Sequence, residues 1–543
     1  MHHDFRISVL VSSLLGLLTT CDAVRPNIVI ILADDLGWND VSFHGSDQFS
    51  TPNIDALAYS GVILQDYYTQ PICTPARAAL LTGRHPISNG MHHDVIYASQ
   101  PWGLPLSERL LPQHLQSLGY MTHAVGKWHL GFYKAGYTPT QRGFHSFFGS
   151  WLGHQDHFKH TLGLKIHRQQ KARYSTGYDM HRDLNVSWEG VGKYSADLYT
   201  EEAESVIHQH NLSRPLFLYL SHTAPHSPYQ APDHTIARMR HVTPKKRRIY
   251  SAMVTKVDES VGRVTQALKD KGMLNNSIIL FLSDNGGSVA GHGGSYSSNW
   301  PLRGGKDTLW EGGVRAVGLI WSPLLTGTPR VHRGLFNVQD WLPTLLSAAG
   351  APAYLKKGQI KTDGVNQWET LNGSERPPYE SMLHNIDSVR KIAALRYKNW
   401  KLVIGRTYHG RYDSWLGKLS ASRRDYTLDA VRDSFAGRAI HDSPASLPRP
   451  PVMLRLRKQA SISCPSLPRE DKSCKPHKNP CLFDIEKDPC ELTDLAKSHP
   501  QLVRQMNAML QKYRPVKPNN RRRDYRSYPH HWNNTWTNWG DLV

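Results

Sequence analysis

Four short apolar runs that stop abruptly in polar residues, with helical patterns between them, predict an α/β fold around a buried sheet. Residues 28–33 end in Asp34-Asp35, and 121–125 end in Gly126-Lys127-Trp128-His129. Residues 216–220 run into Ser221-His222-Thr223-Ala224-Pro225-His226, and 278–283 into Asp284-Asn285-Gly286-Gly287. Unbroken apolar runs of this length suit strands covered on both faces, as in a mostly parallel sheet. Helical spacing recurs in residues 110–118 and in Met253, Val257, Val261, Val264 and Leu268. Ligands of such sheets bind beyond the carboxyl ends of the strands. That edge would collect carboxylates, an amide, a lysine and histidines.

In chain order, His2, His3 and Arg6 precede an apolar run at 7–18 and small residues up to Ala23, which reads as a signal peptide over residues 1–23. The run is short for a membrane span, and no later stretch is long and apolar enough, so no stable membrane insertion is expected. Export to the secretory pathway agrees with sequons at Asn185, Asn211, Asn275, Asn372 and Asn533. A chain of 543 residues can bury a large core and suggests two or more domains. Its formal charge is +20, with clusters at Lys245-Lys246-Arg247-Arg248 and Arg521-Arg522-Arg523. Such a surface attracts polyanions, and equally it can do no more than keep a chain soluble. No nucleic-acid motif accompanies the charge, so no nucleic-acid partner is expected.

Cys73-Thr74-Pro75-Ala76-Arg77 places a lone cysteine at a helix start, with Ala78–Leu81 as helix formers and Gly83 as the stop. Amides of a first helical turn favour an anion at Cys73, and Arg77 lies one turn on. A lone cysteine is by default a buried structural thiol; this setting favours a reactive centre instead. Asp34, Asp35, Asp284 and Asn285 form an all-oxygen set suited to Ca²⁺ or Mg²⁺, although single carboxylates are more often caps or solvated.

Past Gly373 the texture changes. Residues 392–403 read as a hairpin turning at Lys398-Asn399, 482–485 as a strand, and 502–513 as a helix, while 406–463 carry no clear pattern. Cys464, Cys474, Cys481 and Cys490 suggest two disulfides with three possible pairings, and Cys481–Cys490, which would close a small loop around Asp484 to Pro489, is preferred. Zinc is the competing use, disfavoured by irregular spacing and an oxidising compartment.

The C-x-P-x-R pentapeptide at Cys73, followed by Thr82-Gly83-Arg84, resembles the signature of type I sulfatases. Residues 118–131, ending in Gly126-Lys127-Trp128-His129-Leu130-Gly131, resemble the second signature, and the similarity extends over most of 26–400. Residues 300–306 and 309–315 most resemble the arylsulfatase B branch. The resemblance implies an alkaline-phosphatase-like sandwich with a large mostly parallel central sheet. It also implies a smaller C-terminal domain with an antiparallel sheet and a helix, here 24–375 and 376–543. It implies that the formylglycine-generating enzyme oxidises Cys73 to formylglycine, whose hydrated aldehyde attacks sulfur. It further implies Ca²⁺, with Mg²⁺ possible, held by Asp34, Asp35, Cys73, Asp284 and Asn285.

By the same resemblance Lys306 and His226 hold the sulfate and assist the leaving alcohol. His129 takes the proton that collapses the sulfated intermediate, Lys127 and Arg77 fix the formylglycine hydroxyls, and Asp284 serves as a base. His222 competes with His226, but Ala224-Pro225-His226-Ser227-Pro228 matches the family context. The implied substrate is N-acetylgalactosamine 4-sulfate in chondroitin or dermatan sulfate, with aryl sulfates also cleaved, in the lysosome or outside the cell. His92, His93 and Trp151, and Trp300 and Trp310, are candidates for the sugar pocket. The competing readings are a phosphomonoesterase or phosphodiesterase on the same scaffold and a catalytically silent binder of sulfated glycans.

Overall fold

Asn27–Ala33 (β1) is buried along its whole length at the middle of the large sheet. The computed structural model describes residues 25–168, 171–288, 296–352, 360–373, 379–413, 426–464, 474–519 and 521–542. The signal-peptide reading of 1–23 lies outside the described residues. After β1 come Val62–Leu64 (β2), Met121–Gly126 (β3), Ser146–Gly149 (β4), His181–Arg182 (β5) and Asn185–Val186 (β6). Leu216–Ser221 (β7), Ser277–Ser283 (β8), Gly318–Trp321 (β9) and Arg330–His332 (β10) complete the sheet. Their spatial order is β10-β2-β9-β8-β1-β7-β3-β4-β5-β6. The stretch from β8 to β4 is parallel throughout, and it contains all four runs singled out by hydropathy.

Alternation along β1 divides the core into two layers. Val29 and Ile31 pack with Val257, Val261 and Val264 of Lys245–Asp270 (α2). Ile28, Ile30 and Leu32 face the other side, in the cluster that holds Ala79 and Leu81 of Cys73–Thr82 (α1). Each layer removes a continuous apolar face from water, the main stabilising term of the fold.

Strand register sets the site. Ala33 pairs with Ser283, Leu32 with Ser221, and Ser221 with Gly126. The residues that follow these strands, Asp34, Asp284 and Lys127, therefore emerge at one edge. Gly126 closes β3 with φ +99°, and a Cβ there would lie 2.0 Å from the Ser221 carbonyl oxygen. Gly126→Ala should cost about 2–4 kcal/mol, read by urea unfolding, because neither the backbone angle nor the neighbour accommodates a methyl; an unchanged midpoint would refute the argument.

A second sheet follows in the order Ser381–Asp387 (β11), Ile392–Tyr397 (β12), Trp400–Ile404 (β13) and Cys481–Asp484 (β14), all antiparallel. Pro500–Leu510 (α3) covers it, with Met506 and Leu510 beside Leu395, Leu402 and Leu482. The predicted hairpin is β12–β13, with Lys398 at φ +54° in its turn. The helix expected over 110–118 is shorter, Leu111–Gln116. The stretch left without a pattern contains the helices Asp429–Arg432, Phe435–Ala439 and Pro450–Ala460. Their Val431, Ala436 and Leu456 return to the core layer of α2. No helix of the described residues is long and apolar enough to cross a membrane.

The preferred Cys481–Cys490 bridge is not formed. Cys464 pairs with Cys490, and Cys474 with Cys481, at Cα separations of 6.3 and 6.0 Å. The Cys474–Cys481 bridge has a sequence separation of 7, shorter than that of the preferred pair, and β14 leads the chain away from Cys481 at about 3.3 Å per residue. With Cys474 and Cys481 bonded to each other, neither offers a thiolate to zinc.

Candidate active site

Cys73 begins α1, whose C-terminus is closed by Gly83 at φ +63° donating to the Ala79 carbonyl. Asp34, Asp35 and Asp284 follow β1 and β8 directly, and each carboxylate meets a cation. Lys127 Nζ is 2.7 Å from Asp34 Oδ2, and Lys306 Nζ is 2.6 Å from Asp35 Oδ1. Arg77 donates to Asp284 Oδ2 through Nη2 at 2.8 Å and Nε at 3.1 Å, and also reaches Ser221 Oγ and the Lys127 carbonyl. The Cys73 Sγ lies 3.6 Å from Asp34 Oδ1. Ligand atoms of Asp34, Asp35, Cys73 and Asp284 all fall within 4.8 Å of one another, and all four residues are buried.

Asn285 joins this group through Nδ2, which donates to Asp35 Oδ1 at 2.8 Å and to the Gly286 carbonyl at 2.9 Å. Its Oδ1 is buried without a hydrogen-bond partner. A buried carbonyl oxygen left unmatched beside three carboxylates fits an oxygen-liganded divalent cation. The donor set suits the metal that the signature implies.

Burial shapes the electrostatics. It pushes the Cys73 thiol up to about 12, against the pull of Lys127 and Lys306, so the unmodified thiol is a weak nucleophile. Burial also raises Asp284, reinforced by the charge of Asp34. For Asp35 burial acts upward, but Lys306 and His226 outweigh it and hold the carboxyl below its ordinary range. Lys306 is held well above the ordinary lysine value: burial works against its charge, and Asp35 overcomes that.

Two histidines face the same cavity. His129, at φ +59°, donates from Nε2 to the Ile96 carbonyl at 3.1 Å, which leaves Nδ1 buried, unprotonated and without a partner. Burial, then Lys127 and Arg77, lower its pKa far below the usual value. His226 donates from Nδ1 to the Ser227 carbonyl at 2.6 Å, leaving Nε2 3.6 Å from Asp35 Oδ2. Burial and Lys306 bring it down to about 3. His222 instead bonds Ser260 Oγ and is fully buried, outside the cavity lining.

The cavity holds about 380 Å³, with Cys73, Asp35, His129, His226 and Lys306 in its wall. Its outer wall, not anticipated from any motif, includes Asp94, Tyr97, His154, Tyr229, Arg390 and Tyr408. His92, His93, Trp151, Trp300 and Trp310 are not in the lining. Trp151 is instead stacked 3.5 Å from the His181 ring, and Trp310 packs edge-on against Phe483.

Known proteins are similar to this chain in sequence and fold. A family model described as Sulfatase matches residues 26–351. Arylsulfatase J of Mus musculus is 41% identical over 420 residues, covering 73% of this chain and 67% of that relative. N-acetylgalactosamine-6-sulfatase of Mus musculus is 34% identical over 365 residues, covering 63% of this chain and 66% of that relative. A crystal structure of Ps i-CgsB with k-i-k-neocarrahexaose superposes with a TM-score of 0.70 at 27% identity, covering 92% of this chain and 95% of that one. With the matched family spanning the large sheet and every element of the acidic edge, this chain belongs to the sulfatase family of sulfuric ester hydrolases.

Proposed function

We propose that the chain cleaves the sulfate ester of N-acetylgalactosamine 4-sulfate units, and small aryl sulfates, through formylglycine made from Cys73. The supporting observation is the four-residue acidic cluster around Cys73 with the unmatched Asn285 oxygen beside it. Asp34, Asp35, Asp284 and Asn285 would hold the divalent cation, Ca²⁺ in our reading, which polarises a sulfate oxygen and orients the nucleophile. Arg77 and Lys127 balance the carboxylates and fix the hydroxyls of residue 73. Lys306 keeps its proton and places positive charge against the sulfate. His226 is assigned to the leaving alcohol: binding of the sulfate anion beside it must first favour the imidazolium, so that Nε2 carries the proton with which the alcohol departs while Nδ1 stays bonded to Ser227. The unprotonated Nδ1 of His129 is assigned to accept the proton released when the sulfated residue 73 collapses to the aldehyde and free sulfate. Formylglycine-generating enzyme is the implied partner in biosynthesis, and the secretory route to lysosome or exterior the implied itinerary.

The 4-sulfate preference rests on the motifs at 300–315; the relative named N-acetylgalactosamine-6-sulfatase makes the 6-sulfate the competing substrate. Parallel assays on the two isomers, an aryl sulfate and the matching aryl phosphate separate these readings. Sulfate release from the 4-isomer is expected to be fastest; faster aryl phosphate cleavage would overturn the sulfatase chemistry. Chelation of divalent cations should lower turnover about 10²–10³-fold, the loss expected for removing a few kcal/mol of charge stabilisation, and Ca²⁺ should restore it. Full activity after exhaustive chelation would remove the metal from the scheme.

A further inference from the structure

The outer wall of the cavity carries a charge pattern that the catalytic scheme does not use. Arg390 lies in the turn between β11 and β12 and reaches the large sheet's edge. Its guanidinium is 2.5 Å from Asp307, 3.6 Å from Asp94 and 3.8 Å from Asp387. Asp307 also accepts from Tyr408 Oη at 2.5 Å, and Asp387 pairs with His93 Nδ1 at 2.8 Å. The side chains of Asp307 and Asp387 are 1% exposed, whereas Asp94 and Arg390 keep 29% and 24% of their surface. Arg390 is thus held by two buried carboxylates outside the lining, and its Nη2 side lines the cavity next to Asp94. Tyr97 and Tyr408 line the same wall and are each 40% exposed.

A carboxylate that accepts and a guanidinium that donates, side by side and partly dry, match two neighbouring hydroxyls of a sugar ring. They do not match a further anion. Three carboxylates surround one arginine and one histidine, so a second sulfate or a uronate at this position meets net negative charge. Of the other cations, Lys306 is paired with Asp35, Arg523 lies 5.8 Å from the Tyr97 ring, and Lys246 lies 5.8 Å from the Tyr296 ring, which packs edge-on against Tyr229.

We propose that Asp94 and Arg390 read adjacent free hydroxyls of a neutral, monosulfated sugar, with Tyr97 and Tyr408 flanking it, and that they select against sugars carrying a second anion. The proposal rests on the sulfate-ester reading above and names the substrate class of that same cavity.

The test compares kcat/KM of the wild-type enzyme and Asp94→Asn on an aryl sulfate, a monosulfated N-acetylhexosamine and its disulfated counterpart. Wild type should prefer the monosulfated over the disulfated sugar by at least about tenfold, and Asp94→Asn should narrow that gap. The ratio of monosulfated sugar to aryl sulfate should fall at least about 30-fold in Asp94→Asn, because a partly buried charged partner of a substrate hydroxyl has been altered. Arg390→Lys, which keeps the charge but loses the fork, should lower the same ratio. Equal losses on sugar and aryl sulfate, or a wild-type preference for the disulfated sugar, would overturn the proposal while leaving sulfatase activity intact. A wild-type enzyme inactive on every sulfate ester would overturn the underlying reading instead.

Discussion

Cys73→Ala is expected to abolish turnover of aryl sulfates, at least about 10⁴-fold, while the protein still folds. The activity loss follows because Cys73 is the residue of the cavity wall whose thiol stands within the acidic cluster, and alanine there offers no nucleophile. Folding should survive because the change removes one buried heavy atom. Cys73 is 2% exposed and its thiol makes a single polar contact, to Asp34. A deletion of that size costs about 1 kcal/mol, well within the stability of a large domain. The paired measurement is mass spectrometry of the peptide containing residue 73 from wild-type protein made in a secretory host. An aldehyde in place of the thiol is expected. An unconverted thiol in fully active enzyme, or an active Cys73→Ala variant, would sink the nucleophile assignment.

Legibility in the sequence followed the physics of each element. β1, β3, β7 and β8 were readable because a strand buried on both faces must be apolar throughout, and its end is marked by the first polar residue. The acidic edge was readable for the same reason, since Asp34, Lys127 and Asp284 are the residues that break those runs. The outer wall was not. Asp94, Tyr97, His154, Arg390 and Tyr408 come from separated segments, and nothing local distinguishes their types from ordinary surface residues. Arg390 becomes meaningful only when the turn after β11 is folded back against Asp307. Disulfide pairing failed similarly, because it depends on where β14 points. The helices of 429–460 were hidden by their shortness and by prolines and charges on their exposed faces.

Lys401→Met should be the most destabilising single change outside the active site, costing about 3–5 kcal/mol near neutral pH. Lys401 lies on β13 with no exposed side-chain surface, and its Nζ is 2.8 Å from both Glu311 Oε1 and Glu491 Oε1. Those two carboxylates are equally inaccessible, and Glu491 Oε2 accepts from the Glu311 backbone amide at 2.7 Å. The triad ties the smaller sheet to the segment that carries Gly313, whose carbonyl accepts from Gly286 beside Asn285. Without the ammonium, Glu311 keeps Arg315 at 3.5 Å and the charge of Arg396, whereas Glu491 loses the cation beside it.

The pH dependence has a definite sign. Burial, then the charge of Glu311, raise Glu491, so its contribution is present below the ordinary glutamate value of 4.5 and is lost as pH rises. For Glu311 burial acts upward, but Lys401, Arg315 and Arg396 outweigh it, so its contribution is present above 4.5 and is lost as pH falls. In the variant Glu311 loses its strongest cation and its pKa climbs. Acid then relieves the strain by protonating both carboxylates. The deficit in urea unfolding should therefore be largest near about pH 7.5 and shrink by at least about 1 kcal/mol near about pH 5. Adding Glu491→Gln to Lys401→Met should recover at least about 1 kcal/mol near neutrality, since one uncompensated charge is then gone. A deficit that does not change with pH, and that the second substitution does not relieve, would mean that Lys401 acts through packing of its stem and not through its charge.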